Sequence, residues 1–286
     1  TYAFNRAQDA EGENRGGESV LGALVADAHL WAAQQTNPGT QIAFMNPGGL
    51  RDDLAEGQIT YRDAANIQPF ANTLTSLELT GAQLAAVLEQ QWPSDARDSF
   101  LKLGHSSDFR YIYDPEADAG ERIVEMTLAG EPIEDDEYYG IVANSFIASG
   151  GDAFSVFAEG RGGDSTGQID LEATVSYIQE HEEITPDFSQ RAVGLTWVSD
   201  ADEVYAPGDE IAVDVSSFAF TAGEPLAEVL HTYLGETATG EFDLDTEAVD
   251  GTDEAGRAEI RVTVPEAVAL VEMSGGLGTM QAPGGS

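Results

Sequence analysis

Apolar residues recur along this chain at two different periods, and the switches between them mark out its elements. Over residues 19–35, Val20, Leu21, Leu24, Val25, Ala28 and Trp31 return at helical spacing. This predicts an amphipathic helix with Ser19 as its cap. The apolar run at 41–45 predicts a strand, and 58–61 predicts a second, short one leading into 62–67. Leu74, Leu77 and Leu79 stand between polar neighbours, which predicts a strand over 73–79. Thr80-Gly81 then opens a helix over 82–92 that stops at Pro93. Residues 109–113 and 122–128 predict a hairpin joined through Asp114-Pro115, 138–143 another strand, and 171–180 a further helix.

From residue 196 the pattern changes. A turn at 204–210 is followed by strand-like alternation at 211–215, 238–243 and 258–264, with Thr and Val enriched and one helical stretch expected at 224–230. The expectation is therefore a mixed α+β domain over 1–195 and a small all-β, immunoglobulin-like sandwich over 196–270. A flexible Gly-rich tail is expected over 271–286.

Two predicted strands empty into loops of related design. The first loop is Asn46-Pro47-Gly48-Gly49-Leu50-Arg51-Asp52, and the second runs from Asn144 through Phe146 and Gly150-Gly151 to Asp152. An apolar strand that ends in an amide and a Gly-Gly turn brings backbone and polar side chains close to a ligand. These loops are the candidate site.

Charge narrows the partners. The 286 residues hold 12 Lys+Arg against 52 Asp+Glu, a formal net charge of −40, and Lys102 is the single lysine. Such a surface repels nucleic-acid polymers and anionic lipid, and no apolar run approaches the ~18 residues of a membrane span. The acidity fits a solvated surface adapted to salt, because the Debye length falls from about 10 Å at 0.1 M to about 3 Å at 1 M. The melting temperature is accordingly expected to rise with NaCl in a thermal scan; a flat or falling curve up to molar salt would refute this.

The catalytic inventory is thin. There is no cysteine, and His29, His105, His181 and His231 are scattered, without the clustered His and Asp of a two-metal phosphoesterase. Ser106 and Ser107 beside His105 lack a triad context, and there is no P-loop.

The motifs Asn46-Pro-Gly-Gly-Leu-Arg51, Gly57-Gln-Ile-Thr60, Pro69-Phe70-Ala71-Asn72, Leu79-Thr-Gly-Ala-Gln-Leu84 and Asn144-Ser-Phe146 with Gly150-Gly-Asp152 stand in consistent order. Together they resemble the C-terminal, substrate-binding domain of the 5′-nucleotidase and UDP-sugar hydrolase family, over roughly residues 1–195. The resemblance implies base-stacking aromatics at Phe70 and Phe146 and a ribose-binding carboxylate at Asp152. It implies base or phosphate contacts at Asn46, Arg51 and Arg15, the last placed by Arg15-Gly-Gly-Glu18-Ser-Val-Leu-Gly22, and a further substrate-binding position at Gly49. The sequence departs from the family pattern at Ala23, where Asn is frequent, and at Pro47, which replaces Gly and removes a backbone donor.

The resemblance further implies nucleotides or nucleosides as ligands and no cofactor in this chain. Two divalent metal ions and the catalytic residues would belong to an N-terminal metallophosphatase domain of the same protein, secreted or held at the cell surface. Each residue also has a plainer use: a Phe packs cores, an Arg pairs with surface carboxylates, Asp152 caps a helix, Asn46 makes an Asx turn. Two other readings stand beside this one, an extracellular or cell-wall interaction module and a hydrolase with an unrecognised site of its own.

Overall fold

A computed structural model describes residues 4–9, 12–201, 204–247, 249, 254–266 and 271–272. A short hairpin, β1 (Gln8–Asp9) with β2 (Gly12–Glu13), precedes helix α1 (Val20–Gln34). Ser19 caps α1 as expected, its hydroxyl accepting from the Gly22 amide. Strand β3 (Thr40–Met45) leads through a short turn of 3-10 helix, Pro47–Gly49, towards α2 (Tyr61–Ile67). Then come β4 (Thr73–Thr80), α3 (Gly81–Glu89), β5 (Gly104–His105), β6 (Phe109–Tyr113), β7 (Ile123–Leu128) and β8 (Glu131–Pro132). Strand β9 (Tyr138–Asn144) runs straight into α4 (Ser145–Ala148), and β10 (Arg161–Ile169) into α5 (Asp170–His181). The remaining strands are β11 (Ala192–Trp197), β12 (Val204–Tyr205), β13 (Glu210–Ser216), β14 (Val229–Leu234), β15 (Thr237–Asp243), β16 (Ala258–Thr263) and β17 (Val271–Glu272).

The central sheet has the order β10-β4-β9-β3-β5, with β3 and β9 parallel and the other pairs antiparallel. Both of its faces are covered, which explains why β3 and β9 read as unbroken apolar runs. Ala43, Met45, Leu74 and Val142 pack on one side with Leu21, Leu24 and Val25 of α1. Ile42, Phe44, Leu77 and Ile141 pack on the other with Leu84, Val87 and Leu88 of α3 and the rings of Phe109, Tyr111 and Tyr113 from β6.

A second sheet, β16-β13-β11-β6-β7-β8, crosses the boundary expected at residue 195. Strand β11 lies parallel to β6 on one side and antiparallel to β13 on the other, so the expected boundary falls inside a strand. The C-terminal strands do share a core, in which Leu195, Val213 and Ile260 meet Leu230 of β14 and Leu244. Yet β13 and β16 extend the second sheet, where a separate immunoglobulin-like sandwich was expected. The tail expected over 271–286 lies outside the described residues, apart from β17, which pairs with β12.

Three local expectations need correction. The strand expected at 58–61 is absent: Tyr61 opens α2 and Thr60 is its cap, its hydroxyl and the Asp63 carboxylate exchanging hydrogen bonds with each other's backbone amides. The helix expected at 224–230 is absent; β14 begins at Val229 and pairs with β15 around Gly235. Its period of two shows in Leu230 and Thr232, buried, with Tyr233 exposed. Strand β10 was not foreseen, because its sequence holds three glycines and a single aliphatic residue; it is an exposed edge that borrows its order from β4.

Candidate functional site

The parallel strands β3 and β9 end side by side, and their last residues lead into the two Gly-Gly loops. In β4, antiparallel to β9, Leu74 faces Asn144, so the segment before β4 that carries Phe70 reaches the same edge. Ligands of mixed and parallel sheets gather at the carboxyl ends of such strands. Topology alone thus gathers the two loops and the Phe70 segment at one edge.

A chain of amides builds its floor. Asn144 donates from Nδ2 to Asn46 Oδ1 at 2.9 Å, and Asn46 donates from Nδ2 to Asp152 Oδ2 at 2.7 Å. Asn144 Oδ1 accepts from the Ile147 amide at 3.1 Å and so caps α4. The two asparagines are buried and held from both ends, so Asn46 makes no Asx turn of its own. Asp152 caps no helix; its carboxylate belongs to this chain of amides.

The glycines make room for this arrangement. A Cβ on Gly48 would stand 3.4 Å from Arg15 Nη1, 3.5 Å from Asp152 Oδ2 and 3.6 Å from Asn46 Nδ2, so these three groups converge above it. A Cβ on Gly49 would come within 3.0 Å of Asn46 Oδ1 and 2.5 Å of the Met45 methyl, displacing the amide. At Gly151 it would meet the Phe146 ring at 2.7 Å.

Both expected aromatics are out of the core: Phe70 is 57% and Phe146 45% exposed. Phe70 precedes Ala71, whose φ of 52° is a conformation that residues with a Cβ seldom adopt. Arg51 donates to the Gly48 carbonyl at 3.4 Å and has no ion pair among the described residues. Arg15 pairs loosely with Glu13 at 3.2 Å, with its side chain 41% exposed. The structure thus brings Asn46, Gly49, Asp152, Arg15 and Arg51 to one loop cluster and sets Phe70 and Phe146 at the same sheet edge.

Two residues not among the expected site residues belong here. Asn144 was legible as the twin of Asn46, since each ends its strand. Arg97 gave no signal: it lies in a polar loop, yet its guanidinium contacts the main chain of Asp152.

No group of three or more His, Cys, Asp or Glu among the described residues could hold a metal ion. The donors among the described residues therefore do not fit a two-metal centre. His29 is buried and shares a hydrogen bond with Gln68 at 3.0 Å, while His105 packs among the rings of Phe44, Phe109 and Tyr111. Burial pushes His29 down to about 4 and, with the nearby Arg191 charge, His105 to about 3.

In the unfolded chain both imidazoles charge below the ordinary 6.5. Between there and their folded values unfolding takes up protons, so stability is intact above pH 6.5 and falls with decreasing pH. The expected slope is about 1.4 kcal/mol per pH unit for each histidine. Burial also raises Glu18 and Asp170, which act in the opposite sense. The histidine contribution is isolated by urea unfolding of wild type against a His29→Gln, His105→Phe variant, whose slope should be flatter; equal slopes would exclude it.

The profile of a family described as 5′-nucleotidase, C-terminal domain, matches residues 3–159. The trifunctional nucleotide phosphoesterase protein YfkN of Bacillus subtilis is 32% identical over 168 residues, 57% of this chain and 11% of that protein. The cell wall protein Lmo0130 of Listeria monocytogenes is 30% identical over 240 residues, 78% of this chain and 29% of that one. The crystal structure of a 5′-nucleotidase precursor from Thermus thermophilus matches with a TM-score of 0.56 at 34% identity, covering 62% of this chain and 36% of the other. The chain spans 11% to 29% of the length of these two curated relatives.

Proposed function

Because this chain belongs to the 5′-nucleotidase C-terminal domain family, we propose that its sheet edge binds the nucleoside part of a nucleotide and presents the phosphate to a separate catalytic domain. The observation that carries the reading is a fixed carboxylate, Asp152 on Asn46, at the same edge as two exposed phenylalanines. Phe70 and Phe146 are the stacking platforms for the base. Asp152 accepts the ribose hydroxyls, since a carboxylate offers acceptors to paired donors. Asn46 and Gly49 contact the base, and Arg15 and Arg51 supply positive charge for the phosphate in a chain of net charge −40.

The hydrolytic chemistry lies outside these residues. A metallophosphatase domain of the same protein would hold two divalent ions that activate the attacking water. A secreted or cell-surface location is supported by the similarity to a protein named as a cell wall protein and by the acidic surface.

Calorimetric titration of the chain with adenosine and AMP at molar salt tests the reading. Saturable binding is expected, with no phosphate released when Mn²⁺ or Zn²⁺ is added. Metal-dependent phosphate release by this chain would overturn the division of labour. Absence of binding by the folded chain would favour an interaction module instead.

A further inference from the structure

We propose that Arg97 is a positioning residue that fixes the turn carrying Asp152, and thereby sets the preference for ligands with a vicinal diol. The inference rests on the reading of Asp152 given above. The turn is an uncomfortable one: Gly150, Asp152 and Ala153 have φ of 89°, 53° and 67°. Asp and Ala hold such backbone only where their surroundings impose it.

Arg97 supplies that imposition. Its Nη1 donates to the Asp152 carbonyl, its Nη2 to the carbonyls of Gln90 at 2.6 Å and Gln91 at 2.9 Å, and its Nε to Ser99 at 2.7 Å. The guanidinium carbon sits 5.2 Å from the centroid of the Phe154 ring. It has no ion pair with a carboxylate among the described residues; in a chain so acidic, its fork goes to main-chain oxygens. Gln90 closes the same turn from the end of α3, donating to Ser155 Oγ at 2.8 Å and accepting from the Val156 amide at 3.2 Å.

Asp152 therefore has two tethers. Asn46 holds carboxylate oxygen Oδ2, and Arg97 holds the main chain. Only with both in place is Oδ1 aimed in a fixed direction, as pairing with a diol requires. Lysine replaces the fork only in part, because a single ammonium does not reach carbonyls on three sides in one plane.

The test compares the affinities of adenosine and 2′,3′-dideoxyadenosine for wild type, Asp152→Asn, Arg97→Met and Arg97→Lys in the full chain. Wild type is expected to prefer adenosine by about 10- to 100-fold. Arg97→Met should lose most of that ratio, as Asp152→Asn does, with the dideoxynucleoside bound as before; Arg97→Lys should recover part of it. Amide hydrogen exchange over 150–156 of the unliganded Arg97→Met variant should rise while that of α1 and β3 stays constant. A variant that keeps both the wild-type ratio and the wild-type exchange overturns the inference. A wild-type ratio near one overturns the ribose reading and removes Arg97 from selectivity with it.

Discussion

Replacing Arg191 with methionine is expected to lower the free energy of unfolding by up to about 3–5 kcal/mol, the cost of removing the buried member of a part-buried charge pair. Arg191 is only 3% exposed, on the residue before β11. Its guanidinium meets the Asp27 carboxylate of α1 at 2.8 Å and donates to the His105 carbonyl of β5 at 2.6 Å. Its main-chain carbonyl accepts from Tyr111 of β6, and its amide donates to the buried Glu18 at 3.0 Å. One residue thus joins α1 and both large sheets. Methionine matches the volume but leaves Asp27 facing a low-dielectric gap and a carbonyl without a donor. Urea unfolding followed by circular dichroism gives the number. A loss below about 1 kcal/mol would mean that the pair has the small net worth typical of exposed ion pairs. An added Asp27→Leu substitution should return part of the loss, since the stranded charge is the larger share of the cost.

Removing either platform ring is expected to weaken nucleoside binding by about 5- to 150-fold, the equivalent of about 1–3 kcal/mol per stacked base. Phe70→Ala and Phe146→Ala should do so with only a modest loss of melting temperature, because both side chains lie outside the core, 57% and 45% exposed. That separation is what makes the experiment decisive: a core phenylalanine would cost stability first. Stacking reads the face of a base rather than its hydrogen-bonding edge. Affinities for adenosine, uridine and cytidine should therefore fall together in each variant. Unchanged affinity in both variants would remove the phenylalanines from the site.

What was legible in the sequence follows the physics of each element. Helix α1 and its Ser19 cap were plain because an isolated periodicity and a local hydrogen bond suffice to define them. The two loops were legible because β3 and β9 are covered on both faces and so end abruptly in polar residues. Strand β10 was not, since its order comes from pairing with β4 and its side chains add nothing to the core. At Thr60 a strand-like string was overridden by a reciprocal cap with Asp63 that spans only three positions. Arg97 and Arg191 were the least legible. Each reaches a carbonyl far along the chain, Asp152 for Arg97 and His105 for Arg191, and a string of side chains carries no record of where carbonyls will lie.

The passage of one sheet through β11 has a consequence for how this protein is inherited. The matched profile ends at residue 159, while β6, inside it, is flanked by β11, outside it. Asn5 and Gln8 near the start likewise bond to Ala222 and Thr221 far beyond it. A gene fusion spliced at residue 159 would strip β6 of a neighbour along its whole parallel seam, and the exposed edge would seek another chain to pair with. Evolutionary shuffling can therefore move this N-terminal half only together with the strands downstream of it.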